Sequence, residues 1–204
     1  MSWRGVVLKE PERKWAVAPY TGNSLDGCDQ QHVEERELCE KLKIASDKRE
    51  RNRSTLDAIV LRSSSGVRIQ PHQVQVSESK GLLGDRWSAG KALPGDQVSM
   101  MNLDIAYAIA NSQSVVLFGD NLFTRLDLSK EALPIGTLVR IGPVLMQVSE
   151  TPHVPCGQFR SRFGVGAFRL AAKEPRVRGI YLTVAKGGEI RIGDEVVVQT
   201  PTSS

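Results

Sequence analysis

The chain has 204 residues, of which 25% are charged and 40% hydrophobic, and its formal net charge is +4. The length suits one ordinary domain with an extension, and the composition is that of a globular domain rather than a disordered chain. No apolar run approaches the roughly 18 residues of a membrane span, and the first residues lack a signal-like apolar stretch. We therefore expect no membrane partner, and the odd number of cysteines without paired spacing favours a reducing cytoplasm.

Residues 1–55 differ from the rest of the chain, and we interpret them as a polar N-terminal arm that is partly helical or disordered. Residues 29–53 carry a thin apolar stripe, and Asp29 is a candidate cap for a helix there. Such a stripe is typical of a solvated helix. We treat Cys28 and Cys39, which lie in this arm, as incidental.

Residues 56–204 change to short runs of branched residues between turns, which is the pattern of β-strands. One helix is predicted over residues 101–110, with Asn102 as its cap. Gly187 and Gly188 predict a hairpin turn back along the preceding strand. Many short strands and few helices favour a β-barrel or a β-sandwich. The predicted strands are residues 58–62, 67–70, 74–79, 115–119, 137–142, 144–150, 179–188 and 195–199.

Cys156 has the surroundings most typical of a reactive thiol. The three cysteines form no paired pattern, and no CxxC or HExxH motif is present, so neither a disulfide scaffold nor a dedicated zinc site is expected. Cys156 lies between Pro155 and Gly157 on a predicted loop, with Arg160 and Arg162 close behind. Nearby cations favour the thiolate, the form that attacks as a nucleophile, forms a persulfide or binds a soft metal. A buried, inert thiol is the structural alternative.

Other polar residues are candidates for the same site. His153, three residues before the cysteine, is a candidate general base or a group that tunes the thiol. The residues of two turns can bind a ligand, cap a helix or form surface ion pairs, and a glycine there lets the backbone approach a ligand closely. They are Gly84, Asp85 and Arg86 in the first turn, and Asp120 and Asn121 in the second.

Basic residues concentrate between Cys156 and Arg191, where eight arginines and lysines stand against two glutamates. This local excess of positive charge attracts an anion such as a phosphate, a carboxylate or a nucleic acid. Nucleic acid is the less favoured partner, because aromatic residues make up only 5% of the chain and no recognised binding motif accompanies the charge.

Several short motifs follow one another across residues 56–199: Gly-Leu-Leu-Gly-Asp-Arg at 81–86, Gly-Asp-Asn-Leu at 119–122, Pro-Cys at 155–156 and Arg-Gly-Ile-Tyr at 178–181. In this order they resemble the MOSC family, named for the C-terminal domain of molybdenum cofactor sulfurases. The resemblance implies a mostly β fold, a closed antiparallel β-barrel with a few short helices, in a small stand-alone member of the family. It also implies Cys156 as the sulfur- or molybdenum-binding residue.

The resemblance also implies a ligand for the basic cluster, namely the molybdenum cofactor (molybdopterin). This cofactor is a pterin dithiolene that carries a phosphate. Arginine forks suit phosphate, and Arg160, Arg162 and Arg178 are placed to provide them. The other implied pocket residues are Asp120, Asn121 and Thr124 in the lining, and Gly84, Asp85 and Arg86 at the rim.

The chain also departs from the family pattern. Trp87 follows Arg86 where many members have histidine, and Asp120 stands where many have glutamate. No segment matches the extra N-terminal β-barrel domain that larger molybdenum-containing reductases of the superfamily look to require. The departures count against a complete reductase of that kind.

Three functions remain open. The first is binding of the molybdenum cofactor or carriage of activated sulfur, with a cysteine desulfurase as a candidate donor. The second is reduction of N-hydroxylated compounds with a partner reductase, since the chain has no flavin, haem or iron–sulfur motif. The third is a non-enzymatic basic binding module. Pyridoxal phosphate, associated with the family in places, is not expected to act here, because no lysine has a Schiff-base setting.

Overall fold

The structure is a computed structural model that describes residues 32–63, 66–90 and 95–199, so Cys28 and the candidate cap Asp29 lie outside the described residues. The α-helices of this part are α1 (Glu35–Asp47), α2 (Leu103–Ala110) and α3 (Gly157–Lys173). Short 3₁₀ helices cover Arg86–Ala89, Val115–Phe118 and Pro175–Arg178. The strands, in chain order, are β1 (Arg53–Ile59), β2 (Leu61–Arg62), β3 (Arg68–Ile69), β4 (Gln73–Ser77), β5 (Gly81–Leu82), β6 (Val98–Asn102), β7 (Leu122–Thr124), β8 (Leu138–Ile141), β9 (Val144–Val148), β10 (Ile180–Lys186), β11 (Gly188–Arg191) and β12 (Glu195–Gln199).

Seven strands close into a barrel in the order β1–β12–β8–β9–β10–β6–β7, with β7 pairing back to β1. Neighbouring strands are antiparallel except β6 and β7, which are parallel. Buried and partly exposed residues alternate along β8 and β9, as period-2 strands with one face in the core require. The predicted mostly β fold with a closed barrel is confirmed, and the parallel pair makes the barrel a mixed one.

A small sheet of β11, β4 and β5 packs beside the barrel, and β2 and β3 form a separate two-stranded ribbon. The predicted hairpin at Gly187 and Gly188 is wrong, because β11 pairs with β4 and not with β10. A side-chain carbon at Gly187 would lie 2.6 Å from the carbonyl oxygen of Val76 in β4. The glycine therefore serves a close approach between backbones rather than a tight turn.

The three helices pack together on a second apolar core. Along α1, Leu38, Leu42 and Ala45 are buried, and this helix contacts both α2 and α3. The sequence predicted a solvated helix here, and the structure differs because these few apolar residues fall on one face at helical spacing. A narrow stripe is thus enough to dock the helix.

Of the helix and the strand predicted within residues 101–119, the helix is present and the strand is not. The helix predicted at residues 101–110 is present as α2, and the Asn102 side chain accepts the backbone N–H of Ile105 at 3.0 Å, as a cap does. The strand predicted at 115–119 is wrong, since Val115–Phe118 is a 3₁₀ helix capped by Ser114. All four of its residues are buried, so their apolar character reflects burial rather than strand pairing.

The sequence did not predict α3, which begins directly after Cys156. Its buried residues Phe159, Phe163, Ala167 and Ala171 are spaced four apart, a helical signal hidden among charges and glycines. Gly164 lies within α3 with φ of +88° and interrupts its helical backbone. The helix therefore has a kink in the middle of its length.

Gly179 connects the last 3₁₀ helix to β10 and fixes the position of its neighbour Arg178. Its φ is +95°, and an added Cβ would overlap the carbonyl oxygen of Met100. We expect Gly179→Ala to lower the free energy of unfolding by roughly 2–5 kcal/mol, because backbone strain and a steric clash add.

Gly193 is the matched control, because its φ is +94° but an added Cβ would meet nothing within 4 Å. Gly193→Ala should cost about 1–2 kcal/mol, the strain alone. Urea denaturation of the two variants measures the difference, and equal losses would contradict the clash at Gly179.

Candidate functional site

A cavity of about 220 Å³ lies where the β2–β3 ribbon, the 3₁₀ helix at 86–89, the segment at 118–119 and the beginning of α3 meet β10. Its wall contains five guanidinium groups and no carboxylate among the described residues. These are Arg62, Arg68, Arg86, Arg162 and Arg178. Two buried carboxylates, Asp85 and Asp120, stand behind the wall and pair with two of the five. A wall of arginine side chains with no carboxylate among the described residues attracts anions.

Arg62 is held by a bidentate ion pair with Asp85. Its Nε and Nη2 lie 3.0 and 2.8 Å from the two carboxylate oxygens, and its Nη1 donates to the Gly119 carbonyl at 3.1 Å. Burial opposes ionisation of Asp85, but hydrogen bonds and charge from Arg62 outweigh it and lower the pKa of this carboxyl. Asp85 also caps the following 3₁₀ helix by accepting the backbone N–H of Trp87 at 3.1 Å.

Asn121 completes this arrangement from behind the cavity wall. It is fully buried, and its amide nitrogen donates to Asp85 and to the Val60 carbonyl, each at 3.1 Å. Its carbonyl oxygen accepts from Arg62 at 3.1 Å and from Ser99 at 3.2 Å. Asn121 thus positions the Arg62–Asp85 pair and does not line the cavity.

Asp120 is fully buried between Arg178 and His153. Arg178 donates to one carboxylate oxygen, and Nδ1 of His153 lies 3.5 Å from the other without a hydrogen bond. Burial raises the pKa of Asp120, although Arg178 acts in the opposite direction. Arg178 also lies over the rings of Phe118 and Phe159, at 5.9 and 5.3 Å from their centroids.

His153 lines the cavity as a neutral imidazole. Burial lowers its pKa well below the usual value, and the positive charges of Arg178 and Arg62 lower it further. Its ring packs on Tyr181 with centroids 4.2 Å apart. Burial, followed by the charge of Asp120, raises the pKa of the Tyr181 hydroxyl. Both rings are therefore uncharged at neutral pH.

Cys156 is exposed at the cavity, so the alternative of a buried, inert thiol does not apply. Arg86, also in the wall, makes no hydrogen bond or ion pair with any described residue. Burial lowers the pKa of Arg86 and the charge of Arg62 lowers it further, whereas Asp85, Tyr181 and, least of all, Cys156 raise it. The thiol and this free guanidinium are thus close enough to interact electrostatically.

The structure brings part of the sequence-predicted set together. Cys156, His153, Arg86, Arg162 and Arg178 line the cavity. Asp85, Asp120 and Asn121 support it from behind. Three predicted residues lie outside the wall. Arg160 is exposed on α3, and Gly84 is exposed in the turn before Asp85. Thr124 is buried in β7, where its hydroxyl forms a hydrogen bond of 3.0 Å with that of Ser54.

Sequence reasoning missed Arg62, Arg68 and Tyr181. Arg62 ends an apolar strand and Arg68 faces it across the ribbon, in register. Two arginines at facing ends of short strands are a sequence signal for an anion site. Their position in the same cavity as Cys156 depends on the folded chain. No three His, Cys, Asp or Glu side chains of the described residues group as a metal site.

Residues 103–197 match the family model of the MOSC domain. The chain contains a MOSC domain. Solved structures share its fold: YiiM from Escherichia coli, at 21% identity, covers 74% of this chain and 72% of its own with a TM-score of 0.54. The YUAD protein from Bacillus subtilis, at 17% identity, covers 73% and 97% with a TM-score of 0.56.

The search among curated proteins gave no match. A further solved structure, of a hypothetical protein, is 21% identical with a TM-score of 0.58 over 78% of this chain and 73% of that one. In the part of this MOSC chain that the structure describes, no helix has the length and apolar character needed to cross a bilayer.

The buried His153 makes the stability of the domain depend on pH. The unfolded chain binds a proton on this residue near pH 6.5, whereas the folded chain keeps it neutral to lower pH. The free energy of unfolding should therefore fall as pH decreases below about 6.5, by up to about 1.4 kcal/mol per pH unit.

His153→Gln should remove this slope, while the exposed His72→Gln serves as control. The raised pKa of Asp120 has the opposite effect on stability, because its extra proton is held by the folded state. The contribution of His153 is therefore the difference in slope between the wild type and the variant. Chemical denaturation from pH 5 to pH 8 measures it, and parallel curves would contradict the neutral buried histidine.

Asp85 should be required for stability, because Arg62 would otherwise be a buried, uncompensated charge. We expect Asp85→Ala to cost about 3–5 kcal/mol of unfolding free energy. Glu189→Ala is the control, since its pair with Arg191 is largely exposed, and should cost at most about 1 kcal/mol. Similar losses in urea denaturation would contradict a structural role for the Arg62–Asp85 pair.

Proposed function

We propose that this MOSC-domain protein binds the molybdenum cofactor or carries activated sulfur through Cys156. The MOSC domain supports a role related to the molybdenum cofactor in general. The observation that supports the finer proposal is the exposed thiol of Cys156 in a cavity walled by five guanidinium groups.

The residues present fit such a group chemically. A thiolate is a soft ligand suited to a metal of this class, and guanidinium forks bind phosphate oxygens. Cys156 would hold the metal, and the unpaired Arg86 with Arg178 would hold the anionic part. When bound, the cofactor supplies a molybdenum centre that can change its oxidation state.

The supporting residues keep this wall ready for a ligand. Arg62 and Arg178 are fixed by the buried carboxylates of Asp85 and Asp120, so little side-chain freedom is lost when an anion binds. His153 remains neutral and adds no charge that would vary near neutral pH. The wall therefore presents fixed positive charge beside an accessible thiol.

For sulfur carriage, the Cys156 thiolate attacks the outer sulfur of a donor persulfide. The new bond joins Cys156 to that sulfur, the donor's sulfur–sulfur bond breaks, and the donor thiolate leaves with the electron pair. No external oxidant or reductant is consumed. The thiol proton passes to solvent, which reaches Cys156 directly.

Cys156→Ser should abolish both molybdenum retention and persulfide formation. Molybdenum per chain is measured on anaerobically purified protein, and persulfide by alkylation and mass spectrometry after incubation with a cysteine desulfurase and cysteine. The wild type should show at least one of the two signals. Circular dichroism should show an unchanged fold, because the side chain is exposed.

Cys39→Ser is the matched control, since Cys39 is also an exposed free cysteine but lies on α1 outside the cavity wall. It should behave as the wild type. If the Cys156 variant keeps the wild-type signals, Cys156 is not the ligand or carrier. Anion binding that persists unchanged in that variant would instead favour the non-enzymatic basic module.

A further inference from the structure

We propose that the cavity accepts a small dianionic sulfane-sulfur donor of the thiosulfate class, and that Cys156 takes up its outer sulfur atom. The inference rests on the sulfur-carrier part of the proposed function and names a substrate for it. It adds a thiosulfate sulfurtransferase activity to this MOSC domain.

The size and charge of the cavity favour a small dianion. Its volume of about 220 Å³ is below the roughly 300–1,000 Å³ of pockets that enclose drug-sized ligands. Five arginines and no carboxylate among the described residues line its wall. A compact anion fits within this volume, whereas a ligand as large as the molybdenum cofactor would extend beyond it.

Unpartnered groups in the wall point to oxygen atoms that a ligand would bring. His153 is 6% exposed and makes no hydrogen bond with any described residue, and the buried Nε of Arg178 has no partner either. Buried polar groups are normally hydrogen-bonded, so such groups mark a place for a ligand. In His153 the unpartnered atom is Nδ1, which faces Asp120, so the Nε of Arg178 is the donor that is left for a ligand.

Arg86 is the wall residue best able to bind the incoming anion. Its guanidinium makes no hydrogen bond or ion pair with the described residues, and it lines the same cavity as Cys156. An arginine beside the nucleophile can hold the sulfonate oxygens while the outer sulfur faces the thiolate. The same charge stabilises the sulfite that forms as the leaving group.

The reaction balances without a further redox partner. The Cys156 thiolate attacks the outer sulfur of thiosulfate, a bond forms between these two sulfur atoms, and the sulfur–sulfur bond of thiosulfate breaks. Sulfite leaves with the electron pair, and a persulfide anion remains on Cys156. A second nucleophile, a thiol in the cell or cyanide in an assay, removes the outer sulfur and regenerates the thiolate. The exposure of Cys156 gives this acceptor direct access.

The test measures sulfite and thiocyanate formed from thiosulfate and cyanide by the full chain. The wild type should turn over, and Cys156→Ser should fall to the uncatalysed background. Arg86→Gln should raise KM for thiosulfate about tenfold, the loss of one charge-assisted hydrogen bond. Cys39→Ser and Arg169→Gln are the controls and should stay within about twofold of wild type, since Arg169 is exposed on α3 and outside the wall.

The outcomes separate this inference from the proposed function. If the wild type releases no sulfite while a cysteine desulfurase still forms the Cys156 persulfide, or molybdenum is still retained, the donor class is wrong and the proposed function stands. If none of these signals appears, both fail. Turnover that survives in Cys156→Ser, or a KM that Arg86→Gln leaves unchanged, would also overturn the inference.

Discussion

Five guanidinium groups in one small cavity repel one another, and the buried carboxylates of Asp85 and Asp120 offset that repulsion. Each carboxylate lies behind the wall and pairs with one arginine, so the arginine is fixed without blocking the cavity. Buried ion pairs often contribute little net stability, because desolvation costs about as much as the attraction returns. Here their effect is positional, since they hold cations where solvent and ligand can reach them.

The fold supplies these pairs from distant parts of the chain. The backbone of Gly119 is where Arg62 and Arg68 converge, and a side chain at this glycine would lie 3.7 Å from the Arg68 guanidinium. The positive φ of +73° at Gly119 ends the preceding 3₁₀ helix and turns the chain so that Asp120 and Asn121 enter the interior. One turn thus places a carboxylate behind Arg178 and an amide behind Arg62.

Local sequence was enough to predict a mostly β domain, because period-2 runs and turn residues record which face of each strand is buried. The choice of a closed barrel over a sandwich came from the family resemblance. It was also enough to single out Cys156 and His153, whose chemistry is visible in a few neighbouring residues. Arg62 could not be predicted as a wall residue, because its approach to the thiol depends on the ribbon that carries it. Arg160 is the converse case: it is close to Cys156 in sequence, but it is exposed on α3, a helix that the sequence did not predict, and lies outside the cavity wall.

The neutral state of His153 gives the cavity a fixed charge. A histidine with an ordinary pKa would add or lose a positive charge close to physiological pH, whereas burial and two neighbouring arginines suppress protonation here. The positive excess therefore comes from arginines, which do not titrate in that range. Binding by such a wall should follow the charge of the ligand rather than the protonation of the protein. This suits an anion that keeps its full charge at neutral pH, as thiosulfate does.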